Sequence, residues 1–395
     1  MSQALTRVTI VTETFAPEIN GVAHTLGQLV NGLRQAGIHV QVIRPRQGRQ
    51  DLNRREDNLD IITVPGLPLP GYSGLHFGLP LTGRIASALA QFQPQAMYVA
   101  TEGPMGLAAI KAAHRHQVPV LSGFHTNFHQ YIRHYRLGSL EKLAYRYLRY
   151  FHNRTNGTLV PTRIQRDELT QHGFHNVQVL ARGVDSSTFS PQHRQIGLRQ
   201  QWGVEDTDLV LLYVGRIASE KNLDLALATY LRLQASDERI KMVLVGDGPE
   251  LATIRSQHPE IICCGMKRGQ ELAQHYASGD IFLFPSKTDT FGNVVTEAMA
   301  SGLAVISFDY AAAHEHITTG RNGMLAPFDE DDAFMQHAET LSDSPNLLKR
   351  IRQEARSHSE GISWDSIVEA FIQRLEGARN EGIPDDNCKD STPLQ

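Results

Sequence analysis

Asp289 and Glu297 stand with seven residues between them inside FPSKTDTFGNVVTEAMASG, the stretch from Phe284 to Gly302. Ile281 to Pro285 reads as a buried strand, DTFGN as a tight polar turn, and Val294 to Ala300 as a helix stopped by Ser301-Gly302. A helix start facing the carboxyl end of a strand is where an α/β sheet binds a ligand. Its unpaired N–H groups, with Phe291, Gly292, Asn293 and Val294 as candidates, suit a phosphate. Gly292 lets the backbone approach closely. With one carboxylate in the loop and the other two turns along the same unit, the pair would touch opposite ends of one ligand.

Two cations point to the same chemistry. The strand Leu209 to Val214 runs into GRIASEKN, so Arg216 at the strand end and Lys221 at the next helix start lie where a diphosphate would sit. Their alternative reading is plain surface charge. In the first half, the strand Arg7 to Thr12 opens into a Pro-Gly loop with Asn20-Gly21 and then an amphipathic helix ending at Gly37. The strand HVQVIRP completes a βαβ unit. No G-x-G-x-x-G is present, so a nicotinamide fingerprint is absent. The strand Val118 to Leu121 opens into SGFHTNFHQYIRHY, where His125 follows the strand directly and His129 and His134 come later. A lone His is more often structural than functional, and His125 is the strongest of the three.

These segments resemble the family 4 retaining glycosyltransferases, and the resemblance covers nearly the whole chain. It rests on the acidic-x7-Glu spacing, the GR…EKN pattern and the Asn20-Gly21 loop. The usual first acid is Glu, whereas this chain has Asp289. That variant resembles the branch containing lipid-directed GDP-mannose-dependent alpha-mannosyltransferases and sulfoquinovosyl or glucosyl diacylglycerol synthases. The resemblance implies an α/β GT-B fold, two Rossmann-like doubly wound domains facing a central cleft, with a C-terminal helix crossing back to the first. It implies that Gly21 lies under the donor diphosphate, that Arg216 and Lys221 bind the leaving group, and that Glu297 accepts from ribose hydroxyls. Asp289 would hold sugar hydroxyls, His125 would bind the sugar or polarise the reacting centre, and the strand Ile261 to Met266 would flank the base at Met266. No cofactor is implied beyond the GDP- or UDP-linked donor. Retention without an obvious nucleophile suggests front-face attack by the acceptor hydroxyl.

The elements that must position these groups follow from the apolar periodicity. Strands are expected at Ile61 to Val64, Ala96 to Val99, Gly157 to Val160, Val243 to Gly246 and Leu303 to Ile306, alternating with helices such as 83–91, 105–114, 162–172 and 366–376. The expected domains are an acceptor-binding unit over 1–187 and a nucleotide-sugar-binding unit over 188–362. A crossing helix over 363–379 and a disordered polar tail over 380–395 follow. At 395 residues and 41% hydrophobic, the chain can bury two cores.

Charge separates the halves. Residues 1–200 carry 21 Lys+Arg against 11 Asp+Glu, and the rest 17 against 31. A basic front half suits an anionic partner, and no recognition-helix, RNP or zinc-finger pattern favours nucleic acid. The helix Leu140 to Phe151 is expected to bury Leu140, Leu143, Ala144, Tyr147, Leu148 and Phe151. Its opposite face would show Lys142, Arg146 and Arg149, with Arg133, Arg136 and Arg154 close in sequence. That basic surface is the candidate contact with an anionic membrane, and the expected location is the cytoplasmic side, peripherally attached. No apolar run long enough to span a bilayer and no signal segment appears.

Metal chemistry finds no support in the spacing. Cys263, Cys264 and Cys388 do not form a zinc pattern, His314-Glu315-His316 lacks the H-E-x-x-H interval, and Asp206-x-Asp208 and Asp329-x-Asp331 read as solvated acidic loops. The expected enzyme is therefore metal-independent. Two other classes compete with it. A nucleotide-sugar epimerase or phosphorylase could use the same fold, although no pyridoxal-lysine segment is found. A non-catalytic membrane-attached binding protein is opposed by the retention of Arg216, Lys221, Asp289 and Glu297.

Overall fold

The computed structural model describes residues 4–18, 20–48, 50–68, 76–125, 138–289 and 291–383, with the side chains of 138–141 excepted. His129, His134, Arg133, Arg136, Thr290, Cys388 and most of the expected tail lie outside them. The chain divides into two compact units, Met1–Arg182 with Trp364–Gln395, and Gly183–Ser363.

Unit one runs β1 (Arg7–Val11), α1 (Gly21–Gln35), β2 (His39–Pro45), β3 (Arg54–Glu56), β4 (Leu59–Val64), β5 (Gly66–Pro68), β6 (His76–Gly78), α2 (Thr82–Phe92) and β7 (Ala96–Val99). It continues with α3 (Pro104–Arg115), β8 (Val120–Gly123), α4 (Gly138–His152), β9 (Gly157–Val160), α5 (Arg163–Gln171) and β10 (Val177–Val179). The main sheet has the order β10-β9-β8-β7-β1-β2-β4-β3, parallel except for the edge strand β3. Its central strands are buried on both faces, which is why they read as unbroken apolar runs rather than alternating ones. The order reverses between β1 and β7, so their carboxyl ends open the crevice in which such sheets bind ligands. Asn20 caps α1 by accepting from the Ala23 N–H. The helix buries Leu26, Leu29, Val30 and Leu33 beside Val368, Phe371 and Leu375 of the last helix, α14 (Trp364–Asn380).

Unit two runs α6 (Ile196–Gln201), β11 (Val210–Val214), α7 (Leu223–Gln234), β12 (Lys241–Val245), α8 (Leu251–Gln257), β13 (Ile262–Gly265), α9 (Gly269–Ser278) and β14 (Ile281–Phe284). Then follow α10 (Asn293–Ala300), β15 (Ala304–Phe308), α11 (Ala311–His316), β16 (Met324–Ala326), α12 (Asp331–Ser342) and α13 (Pro345–Glu360). The sheet is wholly parallel in the order β13-β12-β11-β14-β15-β16, and its switch point lies between β11 and β14. Behind the sheet's amino end, Asp280 gathers Arg199 at 3.1 Å, Arg194 at 3.2 Å and Arg352 at 2.9 Å.

Several expectations are corrected. Arg149 is buried while Leu143 is 60% exposed, because the inward face of α4 is centred on Tyr145, Leu148 and Phe151 rather than on Leu143 and Tyr147. Tyr145 stacks on His172 at 4.6 Å, and Arg149 one turn later lays its stem beside Gly173. The acidic pairs are largely exposed, with ion pairs or turn bonds at their tips. Asp329 and Asp331 hold Lys287 at 2.6 and 3.2 Å, Asp206 meets Arg194 at 3.4 Å, and Asp208 accepts from the Glu205 N–H at 2.7 Å. The last helix continues to Asn380, the unit division falls at Arg182/Gly183, and α12 and α13 fill a stretch for which the sequence reading proposed no helices.

Candidate active site

In unit two the loops after β11 and β14 emerge side by side at the switch point and are tied to one another. Lys221 Nζ reaches both carboxylate oxygens of Asp289, at 2.9 and 3.0 Å. Asn222 Nδ2 donates to the Pro285 carbonyl at 3.2 Å, and Thr288 Oγ1 donates to the Glu220 carbonyl at 3.1 Å. The cation and the first acid of the motif are therefore a half-buried ion pair. Arg216 is different: its side chain is 62% exposed, with Glu220 at 3.2 Å, while its carbonyl accepts from the Tyr213 hydroxyl at 3.0 Å. The loop backbone is pinned, while the exposed guanidinium rests on Glu220.

A cavity of about 610 Å³ opens at the carboxyl ends of β11, β12 and β13, lined by Gly215, Arg216, Gly246, Gly248, Met266 and Lys267 among others. Its floor is backbone. A Cβ on Gly246 would fall 1.8 Å from the Gly215 carbonyl oxygen, so only glycine lets these two loops touch. Met266, 57% exposed just beyond the end of β13, forms a soft apolar wall suited to the face of a base. The volume falls within the usual range for small-ligand pockets, roughly 300 to 1,000 Å³.

Gly292, at φ 86°, turns the chain from the β14 loop into α10. The Phe291 ring is fully buried, so only its main chain can serve a ligand, and its carbonyl is taken by the Ala312 N–H at 2.8 Å. The N–H groups of Gly292 and Val294 have no preceding helical turn to bond. Asn293 opens the helix and Val294 follows, both partly exposed. Glu297, one turn further on, accepts from the Tyr276 hydroxyl at 3.0 Å. Burial pushes its carboxyl up to about 7, against the pull of the Tyr276 bond. Hydroxyls donating to this carboxyl would favour its ionised form.

Unit one holds the remaining candidates. Gly21 is the first residue of α1, and a Cβ there would sit 3.8 Å from Arg182 Nη1. His125 is buried two residues beyond β8, with Nε2 2.7 Å from the Tyr98 hydroxyl. Burial, with Arg182 and His152 nearby, drives its pKa down to about 3, so the ring is neutral. A neutral imidazole can exchange one hydrogen bond with a hydroxyl and carries no charge to a phosphate. Two residues without a sequence signal belong to this neighbourhood, Tyr98 and Arg182, and a third, Glu13, lies just beyond the end of β1. Glu13 follows β1, donates its N–H to Thr101 Oγ1 at 2.8 Å, and accepts from the Gly78 N–H. Burial raises its carboxyl to about 7, against the Gly78 and Met105 N–H groups.

Among the described residues, no group of three or more His, Cys, Asp and Glu side chains is placed to hold a metal ion. No helix among them is long and apolar enough to cross a membrane.

Relatives decide the family. The pattern of Glycosyltransferase Family 4 matches residues 19–188 and that of Glycosyl transferases group 1 matches 208–344. The GDP-mannose-dependent alpha-mannosyltransferase of Mycobacterium tuberculosis is 31% identical over 375 residues, which is 94% of this chain and 97% of that one. The chain belongs to glycosyltransferase family 4. As a family 4 member it is a retaining hexosyltransferase that uses a nucleotide sugar. The alpha-monoglucosyldiacylglycerol synthase of Streptococcus pneumoniae is also similar, 26% identical over 98% of this chain and 90% of that one. The fold is GT-B. The Anabaena protein Alr3699/HepE, solved in complex with UDP, superposes with a TM-score of 0.74 at 17% identity, covering 94% of this chain and 100% of that one.

Proposed function

We propose that the enzyme moves mannose, with retention, from GDP-mannose to a hydroxyl of a membrane glycolipid or diacylglycerol-type lipid. The observation that carries the site assignment is the Lys221–Asp289 pair at the switch point, flanked by Arg216 and the start of α10. Breaking the sugar–phosphate bond develops negative charge on the leaving diphosphate. Arg216, Lys221 and the main-chain N–H groups near Gly292 would stabilise that charge without a divalent ion. Lys221 already rests on Asp289, so a diphosphate arriving at Lys221 brings the anomeric carbon within reach of that carboxylate, which would orient the sugar hydroxyls. Glu297 would take the ribose hydroxyls and Met266 the base. Neutral His125, backed by Tyr98, would meet a sugar hydroxyl.

The M. tuberculosis relative's name supports mannose and GDP. A second reading, a UDP-glucose- or other UDP-hexose-dependent glycolipid synthase, is favoured by the S. pneumoniae relative and by the UDP complex of the Anabaena protein. Thermal shift with GDP and UDP separates the two, since the ligand with higher affinity raises stability more. A larger shift with UDP would overturn the GDP assignment.

The membrane contact is proposed through the outer face of α4. Leu143, Tyr147 and Tyr150 are exposed there beside Lys142 and Arg146, which gives apolar and cationic groups on one surface. Each cation near an anionic leaflet adds about 1 kcal/mol, so attachment should be reversible and should weaken with salt. Lys142→Gln with Arg146→Gln should reduce co-sedimentation with anionic vesicles; equal binding to neutral and anionic vesicles would leave a soluble acceptor as the better reading.

A further inference from the structure

At the opposite end of unit one's sheet from the β1/β7 crevice, a second cavity of about 600 Å³ lies between α2 and the strands β2, β4 and β3. On one side, Arg84, Ser87, Ala88, Gln91 and Phe92 recur at helical spacing along α2. From Arg84 to Gln91 this face runs about 10 Å. On the other side stand the first residues of β1 and β2, Arg7 and His39, with Gln41, Asp60 and Asn53.

The cavity is rich in donors that the protein does not use. Gln41 Oε1 accepts from the Thr9 hydroxyl at 3.1 Å, and Asn53 Oδ1 accepts from the Thr63 N–H and hydroxyl at 2.9 and 3.1 Å. These bonds fix both carboxamides and leave their NH₂ groups as the ends without a partner among the described residues. His39 Nε2 lies 3.6 Å from Asp60 Oδ1, beyond hydrogen-bond reach, and is buried without another partner among those residues. The acids are already engaged: Asp60 holds Arg55 Nε at 3.3 Å, and Glu56 lies 3.9 Å from Arg34. No ion pair within 4 Å reaches Arg7 or Arg84 among the described residues. Two spare guanidiniums, two spare amides and a spare imidazole nitrogen call for an acceptor-rich anion. The apolar wall of Ala88 and Phe92 and the volume call for something larger than a bare oxyanion.

We propose that this cavity binds a phosphorylated sugar or polyol, as a site separate from the donor site of unit two. Arg7 and Arg84 would hold the phosphate, and Gln41, Asn53 and His39 the hydroxyls. The shared chemistry is a phosphate next to a ring of hydroxyls, which a free hexose phosphate and an inositol lipid headgroup both offer.

The test is calorimetric titration of the full-length protein with mannose 6-phosphate, mannose and inorganic phosphate, and flotation with phosphatidylcholine vesicles with and without phosphatidylinositol. Arg7→Gln with Arg84→Gln should lose about tenfold in affinity for whichever phosphorylated probe binds, because each loses a charge-assisted contact. Ser87→Trp, which fills the cavity and leaves every charge in place, should abolish binding. Both changes are at exposed positions, and GDP or UDP binding should remain at wild-type strength in both variants. Binding of mannose 6-phosphate alone identifies a soluble ligand, and flotation with phosphatidylinositol alone a headgroup. Failure of both probes, affinities unchanged in both variants, or inorganic phosphate binding as tightly as mannose 6-phosphate would overturn the proposal.

Discussion

The two units hold polar chemistry on and beyond the strands of a parallel sheet in opposite ways. In unit two the groups are charged and the support is main chain: Lys221 on Asp289, an exposed Arg216 paired with Glu220 on a pinned loop, glycine against glycine at Gly215 and Gly246. In unit one the groups around His125 and Tyr98 are buried and neutral, and Arg182 beside them is one of the forces keeping His125 uncharged. A leaving diphosphate needs fixed positive charge where its own charge grows, whereas a sugar hydroxyl needs only a directed, uncharged hydrogen bond. The difference predicts that damage to the two regions will look different.

The largest effect is expected from Arg216→Ala or Lys221→Ala. Each should lower turnover by about 2 to 4 kcal/mol, as loss of an oxyanion donor does. Arg216→Ala should leave the melting temperature unchanged, since that side chain is exposed. Steady-state rates within roughly threefold of wild type would remove the leaving-group role.

His125→Ala should combine a loss of turnover with a loss of fold. It leaves the Tyr98 hydroxyl buried without its partner, which costs about 1 to 3 kcal/mol in denaturant unfolding. Because the ring is already neutral, the pH–rate profile should show no His125 titration near pH 6.5, and a limb there that vanishes in His125→Asn would contradict the neutral assignment.

Glu297 provides the sharper contrast within unit two, as a carboxyl held near neutrality. The folded-state pKa of about 7 lies above the ordinary 4.5, so its stability contribution is complete below pH 4.5 and is lost as pH rises to about 7. Glu297→Gln should therefore stabilise the ligand-free protein at pH 8 by about 1 to 3 kcal/mol and leave it near wild type at pH 4.5. Ribose hydroxyls favour the ionised carboxylate, so nucleotide affinity should rise as pH passes 7 in the wild type and stay flat and weaker in the variant. Calorimetry across pH 6 to 8 checks both.

Much of unit two could be read from the chain because its site is local: the strand, turn and helix from Ile281 to Ala300 carry Asp289, Gly292 and Glu297 within twenty residues. The partners that complete it were not legible. Tyr276 precedes Glu297 by 21 positions and Lys221 precedes Asp289 by 68, and no local pattern announces either pairing. Unit one hid more. His125 was visible as a strand-end histidine, but Tyr98 comes from the neighbouring strand β7, and Arg182 from the end of the unit. Glu13 carries no signal in the sequence, and only its burial makes it a near-neutral acid. The α4 error has the same origin: helical periodicity locates an apolar stripe, while the stack of Tyr145 on His172 decides which side faces inward.

The smallest effect expected is that of chelation. If Arg216, Lys221 and the start of α10 supply the charge as proposed, EDTA should change the rate by less than about twofold.

The Arg216–Lys221–Asp289 constellation is proposed to carry hexosyl transfer from a nucleotide diphosphate sugar. The direct measurement is incubation of the wild type and of Lys221→Ala with radiolabelled GDP-mannose or UDP-glucose, lipid extract and EDTA, followed by extraction of the lipid and assignment of the anomer. The predicted result is α-linked mannose in the wild-type lipid fraction and a loss of about a hundredfold or more in the variant. Label entering lipid only from UDP-glucose, an inverted anomer, or equal transfer by both proteins would contradict it.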